Sequence, residues 1–341
     1  MTGDANRQIV LASRPVSYPR ESDFKVVDSP VPKPREGEVL VKAIWLSLDP
    51  YQRGRMRAAR SYAAPVEVGE VITGGVVGRV VESRTPAFEV GDVVEGSLGW
   101  QSHAVTDGRG LRKVDGSMGP LSYALGVLGM PGMTAYFGLL DVGQPRPGDT
   151  VVVSAASGAV GQVVGQVAKM MGCRVVGTAG TQEKVDFIVE ELGFDGGINY
   201  KTENVDNALA RACPLGVDVY FDNVGGAVTD AVMEHLNTFA RIVVCGQISQ
   251  YNLEEPEMGP RNMRLLTVHQ ARMEGFLVSR FANRYEEGRQ RLAGWLKEGK
   301  VKYREDLVEG LETAPRAFIR MMRGENFGKL LVKISEPFRP G

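Results

Sequence analysis

Two rhythms of apolar positions divide the chain. From Glu38 to Ile44, Gly74 to Val81 and Asp92 to Glu95, short β-branched runs are broken by Gly and Pro, which predicts the strands of a β-rich domain. Near Leu121 the rhythm changes. Helical segments begin to alternate with short, continuous apolar runs at Thr150 to Ser154, Arg174 to Gly177, Val217 to Phe221, Arg241 to Cys245 and Gly275 to Val278. Continuous apolar strands between helices predict a parallel sheet covered on both faces. Past Val301 the pattern returns to short strands, the last at Lys329 to Ile334, and Pro337 to Gly341 reads as a loose tail. The expected architecture is α/β. A β-rich domain covers residues 1–125, a doubly wound parallel-sheet domain is inserted over 126–300, and 301–341 return to the first domain.

Composition agrees with two cores. A chain of 341 residues exceeds the roughly 250 at which one core stops growing. With 43% hydrophobic residues, 24% charged residues and a net charge of -1, it reads as a globular protein without the basic excess that nucleic acid or an anionic membrane requires. Cys173, Cys213 and Cys245 are widely spaced, which predicts neither a disulfide framework nor a metal knuckle and points to a reducing, cytoplasmic setting. Met1 to Arg14 holds no apolar run of signal-peptide length, and no stretch reaches the roughly 18 apolar residues of a membrane span.

The strongest chemical signal lies between Thr150 and Met171. An apolar strand runs into Ala155-Ala156-Ser157-Gly158-Ala159-Val160-Gly161, and a helix follows, ending before Gly172. Such turns also serve plain strand-to-helix packing. Here a strand before, a helix after and a second strand at Arg174 supply the context of a Rossmann phosphate site. Gly158 lets the backbone approach a pyrophosphate, Gly161 lets the helix pack tightly, and the helix N-terminus offers unpaired N–H groups. Ala156 replaces the usual first glycine.

Which nicotinamide cofactor such a site takes is decided at the end of the second strand, where NAD-binding folds place an Asp or Glu. Here the chain reads Gly177-Thr178-Ala179-Gly180, followed by Thr181 and Lys184 at a helix start. With no carboxylate to repel a 2′-phosphate and a lysine to receive it, the expected cofactor is NADP(H).

A set of longer motifs then carries a family resemblance over nearly the whole chain. They are Leu48-Asp49-Pro50-Tyr51-Gln52-Arg53, Gly129-Met130-Pro131-Gly132-Met133-Thr134-Ala135-Tyr136 and Phe221-Asp222-Asn223-Val224-Gly225-Gly226. To these add Cys245-Gly246-Gln247-Ile248-Ser249 with Tyr251-Asn252, Arg272-Met273-Glu274-Gly275-Phe276, and Asn326-Phe327-Gly328-Lys329. The chain resembles the zinc-free medium-chain dehydrogenases/reductases of the prostaglandin reductase and alkenal double-bond reductase branch. The resemblance implies a Rossmann domain inserted into a GroES-like catalytic domain, and a homodimer. It implies that Gly158, Ala159, Val160 and Gly161 bind the pyrophosphate, and that Lys184 and Tyr200, beside Gly180, bind the 2′-phosphate end. Asn223, Cys245, Gly246, Gln247, Ile248, Ser249, Tyr251, Phe276, Leu277, Val278 and Asn326 are implied to line the ribose and nicotinamide, with Met130 and Thr134. Met133 and Tyr136 read either as neighbours of the nicotinamide or as plain core. The chain departs from the pattern at Val268, where some members carry a tyrosine.

No metal ligand set is present in the sequence. The first domain holds no cysteine and only His103, which reads as a strand-edge or surface residue; His235, on an expected helix, and His269 read as structural. Without a Lewis acid, an unactivated ketone is hard to reduce, whereas a conjugated enone accepts hydride at its β-carbon and spreads charge onto oxygen. The expected reaction is therefore reduction of the C=C bond of an α,β-unsaturated ketone or aldehyde. Tyr51 and Tyr251 are the candidate donors to the enolate oxygen or α-carbon, with aromatic packing as the alternative for each. Quinone reduction on the same fold, or NADPH binding without turnover, are the other readings.

Overall fold

Among the residues a computed structural model of the chain describes, 5–336, two compact units are distinguishable. Unit 1 comprises residues up to Leu125, Glu305–Asn326 and the chain from Leu330; unit 2 comprises Gly126–Arg304 and Phe327–Lys329. The expected loose tail, Pro337 to Gly341, and the start of the Met1 to Arg14 stretch lie outside the described residues.

In unit 1, β1 (Ala5–Leu11) and β2 (Phe24–Pro30) form an antiparallel pair. The main sheet contains β3 (Val39–Ser47), β4 (Gly75–Ser83), β5 (Val93–Ser97), β6 (His103–Thr106) and β7 (Arg112–Lys113). It is completed by two strands from the far end of the chain, β14 (Glu305–Glu309) and β15 (Lys329–Lys333), in the order β14-β15-β3-β4-β5-β7, with β6 also paired to β3. The short helix α1 (Tyr51–Arg55) follows β3 directly. The core of unit 1 is aromatic in part: Trp100 stacks on Phe24 at 5.9 Å and meets Phe318 edge-on at 5.6 Å. Phe318 belongs to α9 (Ala314–Met322).

In unit 2, α2 (Met130–Phe137) precedes six parallel strands: β8 (Thr150–Val153), β9 (Arg174–Ala179), β10 (Gly196–Asn199), β11 (Val217–Asp222), β12 (Leu236–Val244) and β13 (Arg272–Gly275). Between and after them run α3 (Gly161–Met170), α4 (Gln182–Asp186), α5 (Val205–Ala212), α6 (Gly226–Met233), α7 (Met263–Val268) and α8 (Tyr285–Lys297). Every ladder is parallel, and the spatial order β10-β9-β8-β11-β12-β13 reverses direction between β8 and β11. In open parallel sheets that reversal opens a crevice at the carboxyl ends of the strands, where ligands bind. Helix α3 packs on this sheet at close range. A Cβ at Gly165 would stand 1.8 Å from the ring of Phe194, so a larger residue there would push the helix off its strands.

Three expectations need correction. The strand expected at Gly275 to Val278 ends at Gly275, because β13 pairs with Arg241–Val244 through Arg272–Gly275 and the chain then turns into a helical turn from Val278. His235 lies in the turn between α6 and β12, its Nε2 2.8 Å from Asp206 Oδ1, and not on a helix. His103 opens β6, as the strand-edge reading expects, but is buried rather than at the surface, its Nδ1 3.1 Å from Ser102 Oγ.

Candidate active site

The phosphate turn is built by backbone geometry. Ala155 adopts φ 49°, a left-handed conformation that costs a residue with a Cβ about 1–2 kcal/mol. The tight loop that results brings the Ala155 carbonyl against the start of α3, where a Cβ on Gly161 would lie 2.4 Å from that oxygen and 2.7 Å from Ala156 Cα. Glycine at 161 is thus required by the turn's own backbone, a more local reason than helix-to-strand packing. The N-terminus of α3 has no side-chain cap, so no side chain competes with an anion for the N–H groups at the start of the helix.

At the next strand end, Asn199 of β10 registers with Ala179 of β9, and Tyr200 N donates to Ala179 O at 3.1 Å. Gly180 and Tyr200 therefore leave the sheet side by side. Thr181 caps α4, its Oγ1 accepting from Lys184 N at 3.3 Å, which places Lys184 in the first turn of the helix. Lys184 is only 8% exposed, unlike an ordinary solvated helix lysine, while Tyr200 is 37% exposed. The site thus has a backbone cradle, a lysine and a phenol, and no carboxylate among Gly177–Gly180. Those donors suit a dinucleotide carrying a 2′-phosphate.

Beyond β11 one carboxylate organises two loops. Asp222 Oδ1 accepts from Val224 N and Gly225 N, each at 2.9 Å, and from Tyr220 OH at 3.0 Å, while Oδ2 accepts from Thr229 Oγ1 at 2.7 Å. Its carbonyl receives Cys245 N at 2.9 Å and Gly246 N at 3.1 Å. Asn223 is held in turn by Ser154, through its N–H at 2.9 Å and its Nδ2 at 2.8 Å. The loop from Cys245 to Tyr251 folds back onto this turn: Ser249 Oγ donates to Val224 O at 2.7 Å, Ile248 N donates to Asn223 O at 3.3 Å, and Gln247 N donates to Tyr251 OH at 3.3 Å. Asn223, Cys245–Ser249 and Tyr251 are thereby brought together at the carboxyl end of β11 and β12. Burial, with Asp222 nearby, pushes the Cys245 thiol up to about 12, so it stays protonated.

Not every expected residue joins this group. Met133 is fully buried against Gly288 of α8, and Tyr136 gives its hydroxyl to Glu287 Oε1 at 3.1 Å, so both serve the packing of α2 on α8. Thr134 turns its hydroxyl back to Met130 O at 2.8 Å, and Met130 is partly exposed. Phe276 packs toward Gly138 and Phe281; Leu277 stays exposed. Asn326 is half-buried at the end of a unit 1 segment. A separate cleft of about 190 Å³ outside α4 is lined by Glu183, Asp186, Phe187, Glu190, Glu191, Arg304 and Phe327; its four carboxylates make it a poor place for an anionic nucleotide.

In unit 1, Ser47 Oγ donates to Asp49, Asp49 N donates to Gln52 Oε1 at 3.1 Å, and Gln52 Nε2 returns to Ser47 O at 3.0 Å. This closed set fixes α1 and so Tyr51. Burial, with Asp49 and Tyr62 close by, raises the Tyr51 phenol well above its usual range. It is therefore a neutral hydrogen-bond donor at any ordinary pH. Tyr62 was not expected: it sits in the Ala- and Pro-containing loop before Val66, where no sequence pattern marks it, yet it is electrostatically coupled to Tyr51 and Asp49. Asp222 and Ser154 were likewise unassigned. A carboxylate just before Asn-Val-Gly-Gly is the signal of an Asx-type turn that could have found the first.

Residues 7–114 match a family described as the N-terminal domain of oxidoreductase, and residues 159–294 match one described as zinc-binding dehydrogenase. The chain is 46% identical over 335 residues to an NADPH-dependent curcumin reductase of Escherichia coli, covering 97% of each chain. It is also 46% identical to an NADP(+)-dependent 2-alkenal reductase of Nicotiana tabacum, over 97% of this chain and 98% of that one. The chain belongs to the medium-chain dehydrogenase/reductase family. Within that family it lies in the alkenal and prostaglandin reductase branch. The crystal structure of CurA from Vibrio vulnificus in complex with NADPH, 50% identical, superposes with a TM-score of 0.93 over 97% of this chain and 100% of that one. Although one matched description names zinc, no group of three or more His, Cys, Asp or Glu side chains able to hold a metal occurs among the described residues of this family member.

Proposed function

We propose that this protein is an NADPH-dependent reductase of the C=C bond of α,β-unsaturated ketones and aldehydes. The observation that carries the reading is 46% identity, over 97% of this chain, to an enzyme named for NADPH and curcumin and to another named for NADP(+) and 2-alkenals. Curcumin and 2-alkenals share a carbonyl conjugated to a carbon-carbon double bond. The carboxylate-free end of β9, with Gly180, Lys184 and Tyr200, supports NADPH independently.

NADPH, when bound, supplies the hydride for the β-carbon. The chain's residues do the rest. Gly158, whose own N–H is taken by Ala155 O at 2.9 Å, lets the backbone approach the pyrophosphate, Ala159, Val160 and Gly161 offer their backbone N–H groups to it, and Lys184 and Tyr200 hold the 2′-phosphate. Asn223, the Cys245–Tyr251 loop, Phe276, Leu277, Val278, Met130, Thr134 and Asn326 bound the ribose and nicotinamide. Tyr51, kept as a phenol, donates a hydrogen bond to the oxygen where charge develops, with Tyr251 as the second donor. The reaction is zinc-independent, because unit 1 lacks the Cys and His ligands of a catalytic zinc.

The protein acts as a cytoplasmic homodimer in this reading. Its cysteines are free, and no helix among the described residues is long and apolar enough to cross a membrane. β13 is the edge strand of the parallel sheet and is largely exposed, with Phe239, Met263 and Val268 exposed in the segments before it, which supports an unpaired strand edge as the place for a second copy. Product analysis tests the reaction. Incubation with NADPH and an aryl butenone should yield the saturated ketone; an allylic alcohol with the double bond intact, or oxidation of NADPH with quinones alone, would overturn the assignment.

A further inference from the structure

Helix α3 carries two glutamines four residues apart, Gln162 and Gln166, and both are buried. Each meets the backbone of the segment 302–304 with donor and acceptor together. Gln162 Nε2 donates to Arg304 O at 3.1 Å while Arg304 N donates to Gln162 Oε1 at 2.8 Å. One turn on, Gln166 Nε2 donates to Lys302 O and Lys302 N donates to Gln166 Oε1, both at 2.8 Å. An amide that both gives to and takes from one residue's backbone reproduces the paired bonds of a sheet ladder. The helix thus grips an extended segment as a neighbouring strand would.

The grip extends to a second segment. Arg304 O also accepts Lys329 N at 3.0 Å, and Gly328 forms a parallel bridge with Gly158 in the phosphate turn. Gly328 has φ 89°, and a Cβ there would stand 2.3 Å from Arg304 O, so only glycine permits this approach. The Arg304 guanidinium lies 3.8 Å over the ring of Phe327, which in turn meets Phe187 edge-on at 5.0 Å. The contacts close a circuit within unit 2, from Gly158 to Gly328, Lys329, Arg304, Gln162 and back to the turn.

From this circuit we infer that Gln162 and Gln166 are positioning residues for the nucleotide: they fix 302–304, and through it 327–329, against the Gly158–Gly161 turn, so that dinucleotide binding and the order of these segments reinforce each other. The inference rests on the proposed pyrophosphate site at that turn. Physically, Gly158 is held from two sides. One is its own helix. The other is a bridge whose far end depends on two buried glutamine amides, which have no water to replace a lost partner. Coupling of this kind is reciprocal: whatever tightens the turn tightens the segments, and loosening the segments weakens the turn for any ligand bound there. Because the pyrophosphate is common to NADPH and NADH, loss of the circuit must weaken both equally. That pattern separates it from loss of a contact to the 2′-phosphate.

Hydrogen exchange on the full-length protein, with and without saturating NADPH, reads the coupling directly. In the wild type, NADPH should slow exchange at Lys302, Arg304 and Lys329 by about tenfold or more. In Gln162→Met the slowing should vanish, and the dissociation constants for NADPH and NADH should rise by the same factor, roughly threefold to tenfold. Gln166→Met provides the same test one turn away should the first variant not fold. Failure of the wild type to bind NADPH would overturn the pyrophosphate site itself. If NADPH binds but exchange at the three amides is unchanged, or if the folded variants bind both dinucleotides like the wild type, the site stands and the positioning role falls.

Discussion

The hydroxyl of Tyr200 lies 2.8 Å from the point where a Cβ on residue 180 would stand, so glycine at the end of β9 is what lets the phenol close over it. Adding a methyl displaces a side-chain tip rather than backbone. Gly180→Ala should therefore leave stability nearly unchanged but shift Tyr200, costing about 1 kcal/mol of NADPH binding, roughly fivefold in the dissociation constant. Fluorescence titration checks it; unaltered NADPH affinity would remove Tyr200 from the site.

Lys184 gives the larger effect on the same phosphate. A charge-assisted hydrogen bond is worth about 1.5–3 kcal/mol, so Lys184→Ala should raise the NADPH dissociation constant roughly tenfold to a hundredfold. NADH lacks the phosphate, and its binding should barely move. Equal losses for both dinucleotides would assign Lys184 to the fold of α4.

Gly161→Ala behaves differently, because its neighbours at 2.4 and 2.7 Å are backbone atoms that cannot swing aside. We expect the turn to be forced open, with a loss of about 1–3 kcal/mol in stability and more than tenfold in affinity for both dinucleotides. Denaturant unfolding and titration together test this. A variant with normal stability would mean that the turn relaxes more easily than its left-handed Ala155 suggests.

Tyr51→Phe keeps the ring and removes only the donor. The expected result is a fall in kcat of roughly fivefold to tenfold with an unchanged NADPH dissociation constant, since a neutral hydrogen bond contributes about 1 kcal/mol or somewhat more. Full activity of Tyr51→Phe would shift the donor role to Tyr251.

The thiols supply a pH signature. Burial raises Cys173 and Cys213 to about 11 and Cys245 to about 12, above the roughly 8.5 of an unfolded cysteine. A folded pKa above the unfolded one means that the associated stability is intact below the unfolded value and is lost as pH rises through 11 to 12. Native protein at pH 8 should accordingly react slowly with a disulfide reagent, and denatured protein should show all three thiols at once. Cys245 keeps part of its surface accessible, so fast reaction there would contradict the raised pKa and not merely the burial.

Much of unit 2 was legible because its signals are local. Thr150 to Ser154, Arg174 to Gly177 and Val217 to Phe221 are continuous apolar runs, and each lies within or largely over a strand of the parallel sheet. β10, Gly196–Asn199, carries two glycines and one β-branched residue, and it is a strand because β9 offers it an edge. No window of sequence holds that information. The same applies to the site: the absence of a carboxylate among Gly177–Gly180 is readable directly, whereas the pairing of Gln162 with Arg304 depends on folding distant segments together. Met133 and Tyr136 illustrate the converse. Their motif left them either beside the nicotinamide or in plain core, and the choice falls to core because α8 covers that helix face.

β15 also sets the order in which the protein can be finished. Leu331, Val332 and Lys333 pair with Ser47, Leu46 and Trp45, so the carboxyl-terminal half of β3, just ahead of Asp49 and Tyr51, acquires this neighbour only once synthesis has passed Lys333. At about 5–20 residues per second, a ribosome leaves that stretch open for tens of seconds after it emerges. Throughout that time Leu46, fully buried in the finished protein, borders an unpaired strand edge that another nascent chain could occupy. The strand that leads to Tyr51 thus leaves the ribosome long before the strand that closes it.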